Sequence, residues 1–170
     1  MIDREYCVTL ARYNRWMNER LYAICAGIDD ATRRRDMGAF FRSIHGTLNH
    51  LLWGDLVWLS RFTGRERPAT AIDEPVHDDF ETLRVARASV DAEILDWARR
   101  IDPEWLAAPF TWFSGVDRSE HKQPAWILVT HLFQHQVHHR GQLTTLLMQL
   151  GHDPGVTDLP WLPHSAAGDA

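Results

Sequence analysis

Cysteine is scarce in this chain: there are two, Cys7 and Cys25. If both stand on the first helix they are separated by roughly 27 Å of axial rise, too far for a bond between them. No disulfide framework is readable, which fits a reducing compartment. Long apolar runs are also missing, and no window approaches the ~18 uninterrupted apolar residues of a membrane span. The opening segment MIDREYCVTLARYN is charged where a signal peptide carries an apolar core. Positive charge is in short supply: 18 Lys and Arg stand against 23 Asp and Glu, for a net charge of −5. That balance argues against nucleic acid as the main partner. The one dense basic run, Arg33-Arg34-Arg35, ends at Asp36 and reads as a solvated loop or helix end. Internal repeats and low-complexity segments are absent. These absences predict a soluble, cytoplasmic protein that engages neither nucleic acid nor membrane.

What is present is aromatic bulk and histidine. Eight tryptophans among 170 residues point to large buried contacts, a wide pocket or an association surface. The length suits one domain with a sizeable core, and it is expected to span residues 1–162, with 163–170 a loose tail. Apolar residues recurring every three or four positions (Tyr6, Leu10, Tyr13, Met17, Leu21, Ile24) predict a helix over 3–26, stopped by Gly27. A second helix is expected over about 37–62, and a third over about 79–101 with Leu83, Val90, Ile94 and Trp97 as anchors. Pro68 and Pro75 make 65–78 a polar loop. PFTWFSGVDRSEHKQ reads as a loop or short irregular hairpin. Pro124 suits the first turn of a fourth helix that runs to about Leu150. Four long helices without a convincing sheet predict an all-α fold, a four-helix bundle with a short irregular connection before its last helix.

The stretch HLFQHQVHHRGQL holds four of the ten histidines. At about 100° per residue, His131 and His139 fall about 40° to either side of His135, and His138 about 60° away. Leu128 and Leu146 share that stripe, so these imidazoles lie on the face that turns toward the core. Imidazoles at i and i+4 can converge on one metal ion. Both His131/His135 and His135/His139 qualify. A third ligand must come from another helix, and His50 is the best candidate. Gly46 and Gly54 flank it at i−4 and i+4, where they leave room for a ligand or a neighbouring backbone. His45 belongs to another surface. His77, His121, His152 and His164 fall in loops or the tail.

The segments ARYNRWMNERL, SIHGTLNHLLWGD and HLFQHQVHHRGQL occur in that order over nearly the whole chain. Together they resemble the DinB / YfiT-like family of metal-dependent enzymes. The resemblance implies a four-helix bundle, often dimeric, that binds a divalent metal through one histidine of the second helix and an HxxxH pair ending just before Arg-Gly-Gln. Carried onto this chain, it implies His50, His135 and His139 as ligands, with His131 a pocket residue and His138 at the seam or flank. The family name reflects damage-inducible expression in some members. Relatives in the family include S-transferases that use low-molecular-weight thiols such as bacillithiol, and a mycothiol-dependent maleylpyruvate isomerase.

Three neutral imidazoles leave a divalent ion its full charge and open coordination positions, the arrangement of a catalytic rather than a closed structural site. Zinc and nickel suit such ligands, and iron and manganese are also compatible. The open position would hold water or a thiol and lower its pKa. With no cysteine near the ligands, a thiol would come from a small molecule. The expected function is therefore metal-dependent transfer or hydrolysis on a small-molecule substrate, with a low-molecular-weight thiol as candidate cosubstrate and a homodimer as the expected assembly. The alternative is a non-catalytic metal-binding stress-response protein with a structural ion. Other metal classes fit poorly. No glutamate follows His131 as HExxH requires. The one ExxH, Glu74 to His77, contains Pro75 and lacks the paired motif of a di-iron site. Gln142 and Asn14 are candidates to orient the ligand histidines. Trp53 is a candidate pocket wall, and Arg140 a candidate partner for an acid or an anionic substrate.

Overall fold

A computed structural model describes residues 2–115 and 117–163 of the chain. Four long helices dominate it: α1 (Arg4–Ala26), α3 (Ile44–Thr63), α4 (Phe80–Arg100) and α6 (Ala125–Gln149). Two short helices, α2 (Asp30–Arg34) and α5 (Pro103–Ala107), follow α1 and α4. A two-stranded antiparallel hairpin, β1 (Pro109–Phe113) and β2 (Glu120–Pro124), precedes α6. Among the described residues the fold is mostly helical, as the periodicity predicts. None of the described helices is long and apolar enough to cross a membrane.

The helix starts are chemically marked. Asp3, Ser43 and Asp79 are the N-caps of α1, α3 and α4, and each side chain accepts from a backbone N–H of the first turn. Ser43 also explains why α3 begins seven residues later than expected over 37–62. Gly38 and Arg42 have φ of 76° and 65°, which no α-helix accommodates. Residues 37–43 fold instead into a tight turn in which Ala39 bridges to Arg42. At the other end, Gly64 closes α3 in the left-handed region at φ 72° and donates to the Ser60 carbonyl.

The connection before α6 is more regular than expected. Phe110 pairs with Gln123, Thr111 with Lys122 and Trp112 with His121. The polar half of the segment is thus the second strand. Pro124 ends that strand and caps α6 rather than occupying its first turn.

α1 packs on α4 and α6, and α3 packs on α6 and α4. Met17, Leu21, Leu48, Leu52, Leu83, Ile94, Phe133 and Leu147 fill the space between them. Each such burial contributes about 1.5–3 kcal/mol. Cys7 and Cys25 are buried free thiols on α1. Burial pushes both up to about 12, so neither is a reactive thiolate near neutral pH.

A polar cluster also sits in the middle of this apolar core. Arg87 is buried between Asp55 at 2.7 Å and Asp91 at 2.9 Å. Asn18 donates to Asp91 at 2.9 Å, and Gln136 donates to Asp55. Burial raises both carboxyls, and the Arg87 guanidinium opposes that rise.

The basic run closes α2 with Arg34 and Arg35 exposed, as expected, but Arg33 departs from that reading. Arg33 is buried and donates to the Cys25 and Ile28 carbonyls, while Arg34 pairs with Asp30 and Asp78. Beyond α6, the C-terminal segment runs back along α1. Tyr13 Oη donates to the Thr157 carbonyl at 2.5 Å, and Arg20 donates to the carbonyls of Pro154 and Val156. Leu162 packs on the core, while Trp161 stays exposed. Of the expected tail, residues 164–170 lie outside the described residues, and so does His164.

Candidate metal centre

α3 and α6 pack against each other and carry the cluster between them. His50 projects from α3; His135 and His139 are one helical turn apart on α6. One ring nitrogen from each lies within 4.8 Å of the other two. His50 Nε2 and His135 Nε2 are 3.0 Å apart. Tetrahedral zinc with Zn–N bonds of about 2.0–2.1 Å requires N···N edges of roughly 3.4 Å. The observed spacings bracket that edge, so the three side chains fit a divalent ion with small rotations.

Two of the three rings are held from outside the cluster. His139 Nδ1 lies 2.8 Å from Gln142 Oε1. An amide oxygen can only accept, so Nδ1 carries the proton and the Nε2 lone pair is left for a ligand role. Gln142, one of the two residues expected to orient a ligand, therefore does so. Asn14 does not: it accepts from Arg140 at 2.6 Å, on the α1 side of α6. Phe41, from the turn before α3, stacks on His50 with centroids 3.6 Å apart and meets His139 edge-on at 5.4 Å. No spacing rule in the sequence points to Phe41, because it reaches the site only through that turn.

The two glycines flanking His50 have different jobs. A Cβ at residue 54 would lie 2.7 Å from His135 Cε1 and 3.1 Å from its Nδ1. Gly54 makes room for the His135 ring of the opposite helix. A Cβ at residue 46 would overlap the Phe41 carbonyl oxygen, so Gly46 serves the turn that places Phe41.

Burial lowers the proton affinity of the cluster. His50 is pushed down to about 4, by burial first and then by His139. His135 is pushed down to about 3, by burial and then by His139 and His50. His139 is also lowered by burial, although its bond to Gln142 opposes the shift. The imidazoles are accordingly neutral near pH 7, the form that binds metal.

The remaining sequence candidates sort cleanly. His131 lines the cleft beside the cluster and meets Trp58 edge-on at 5.1 Å. His138 is exposed on the flank and contacts Gln142 at 3.4 Å. His45 is buried with Asn49 and lies apart from the cluster. His121 bonds Asp117 at 2.7 Å on the hairpin. Asp55, also on α3, belongs to the Arg87 cluster. Arg140 neither pairs with an acid nor reaches the cleft: it is buried against Asn14 and the Tyr13 ring.

Two members of the cluster, His50 and His135, line a cleft of about 540 Å³. Trp53, Trp58 and Trp112 wall it, and Arg61 and Arg67 line it as well. Trp53 is fixed by its Nε1–H, which donates to the Thr70 carbonyl at 3.0 Å. The loop 65–78 thus supplies a wall as well as a connection.

Comparison with known proteins agrees with this geometry. Protein DinB of Bacillus subtilis (strain 168) is 23% identical over 160 residues, covering 91% of this chain and 91% of that protein. The profile of the DinB family matches residues 1–170. With that match running over the whole length, helices and histidine cluster included, the chain belongs to the DinB family.

Proposed function

We propose that this protein is a metal-dependent enzyme, built as a four-helix bundle of the DinB/YfiT-like type, in which His50, His135 and His139 hold a divalent ion. Zinc or nickel suits three imidazoles best, with iron or manganese next. The observation that carries the reading is the convergence of three ring nitrogens within 4.8 Å beside a cleft that His50 and His135 line. A structural ion is normally closed off by four protein ligands, whereas this arrangement provides three and a free approach. When bound, the ion supplies Lewis acidity that lowers the pKa of a coordinated water or thiol.

The chain's own residues do the rest. The neutral imidazoles leave the ion's charge uncompensated. Gln142 fixes the His139 tautomer, Phe41 holds the His50 ring, and the tryptophan walls exclude bulk water from a bound small molecule. The two cysteines are buried on α1 and are not among the residues that line the cleft. A thiol reactant is therefore a low-molecular-weight cosubstrate, and the reaction is transfer or hydrolysis. A homodimer in the cytoplasm, without nucleic-acid or membrane partners, completes the reading.

Metal analysis of untagged protein tests it. About one ion per chain is expected, with His50→Ala and His139→Ala each abolishing binding. Full occupancy in both variants refutes the ligand set. Metal-dependent consumption of a low-molecular-weight thiol in the presence of electrophiles supports the enzyme. A bound ion with no such consumption and no water hydrolysis supports the non-catalytic metal-binding stress protein instead.

A further inference from the structure

Charge is distributed unevenly around the cleft. The protein has more acids than bases, yet the described residues lining the cleft include two arginines and neither Asp nor Glu. Other arginines of the fold find acids: Arg34 pairs with Asp30 and Asp78, Arg65 with Glu93, and Arg87 with Asp55 and Asp91. Arg65 is instructive because it shares the loop with Arg67. Among the described residues, no acid pairs with Arg61 or Arg67.

Arg61 is half-buried. Its guanidinium lies over the Trp58 ring at 4.3 Å and donates once, to the Phe113 carbonyl at 3.3 Å. Most of its donors face no partner of opposite charge. Burial, together with the neighbouring Arg67, disfavours its protonated form. Two like charges thus share a partly desolvated wall, an arrangement that costs free energy unless an anion relieves it. The planar fork of a guanidinium matches a carboxylate in two parallel hydrogen bonds. Three indoles line the same cleft and would cover an apolar body.

We propose that the cleft binds an organic carboxylate, its charge held by Arg61 and Arg67 and its apolar body lying against Trp53, Trp58 and Trp112. This rests on the cleft being the substrate pocket, as proposed above, but not on the identity of the ion. The arginines select the substrate by charge. His50 and His135 line the same cleft, within reach of the bound molecule.

Calorimetric titration of the full chain, metal-free and zinc-loaded, with phenylacetate and its uncharged isostere phenylacetamide tests the proposal. Phenylacetate is expected to bind at least about tenfold more tightly than the amide to both forms, since a charge-assisted pair is at stake. Arg61→Gln and Arg67→Gln are each expected to weaken the acid at least about fivefold and leave the amide unchanged. Their zinc content and melting temperatures should match the parent, because neither residue touches the cluster. Equal affinity for acid and amide, no binding of either, or an unaltered acid affinity in the double variant overturns the proposal. Failure of the parent to bind zinc would sink the metal reading and leave the metal-free comparison intact, so the two failures are distinguishable.

Discussion

Gly54→Ala gives a sharp test of the site. Alanine is better than glycine in a helix interior by about 0.8–1 kcal/mol. On propensity alone the variant would be more stable. The new methyl, however, would lie 2.7 Å from His135 Cε1 and 3.1 Å from Nδ1. An ordinary contact needs roughly 3.5–4.0 Å, so the ring must retreat by close to 1 Å. The ring is the end of a side chain and can swing, which limits the cost to the fold. Metal coordination is less forgiving, with ligand distances set to within about 0.2 Å. The expected outcome is a metal-free melting temperature close to the parent and a zinc affinity reduced at least about tenfold, of the order seen when ligand orientation is disturbed. A chelator-competition titration reads the affinity, and a thermal melt reads the fold. If Gly54→Ala binds zinc as tightly as the parent, His135 is not a ligand in the described orientation. Gly46→Ala is the control. Its overlap is with backbone, so it should destabilise the start of α3 before it affects the metal.

Gly141 sits inside α6 with nothing within 4 Å of a Cβ built on it; Gly141→Ala should raise stability by about 0.8–1 kcal/mol in urea unfolding, and a loss would reveal a packed partner at that position. Arg87→Met removes the cation between two buried carboxylates and should cost about 3–5 kcal/mol by the same measurement; a loss below about 1 kcal/mol would mean that Asp55 and Asp91 are protonated in the fold. The pH dependence follows from the depressed imidazoles. Between pH 6.5 and about 4 these imidazoles bind more protons in the unfolded chain than in the folded one, so their contribution to metal-free stability falls as the pH drops through that window. His135→Gln should flatten the decline between pH 6.5 and 5, and an unchanged slope there would remove His135 as its source.

The four long helices were legible because their apolar residues keep a 3.6-residue period, and their starts are written as Asp3 and Asp79. The start of α3 was not. Residues 37–43 are as apolar as a helix, and only the left-handed backbone at Gly38 and Arg42 breaks it; arginine does not advertise that conformation. The second strand was hidden because Glu120, His121 and Lys122 look like loop, and pairing with β1 overrides their local preference. At the site, α6 angles alone left four histidines on one stripe. The need for a third ligand brought in His50, the resemblance selected His135 and His139, and these are the three whose nitrogens meet. Gly46 was read as room for a ligand or for a neighbouring backbone, and it is a backbone, the Phe41 carbonyl, that fills the space. The buried Arg87 cluster did leave a trace: Arg87 and Asp91 fall on the stripe of Leu83, Val90 and Ile94, a charge pair where the pattern calls for apolar residues.

The cluster joins two helices far apart along the chain, with His50 and His135 separated by 85 residues. At a synthesis rate of about 5–20 residues per second, His50 is made roughly 4–17 s before its partners on α6. Throughout that interval the nascent chain has no HxxxH pair and holds a lone imidazole that competes poorly for free ions. Under the proposed metal reading the ion is therefore acquired late, after α6 has docked beside α3. Cells short of the metal would accumulate folded, empty protein rather than unfinished chains, and activity would be restored by supplying the ion alone, without new synthesis.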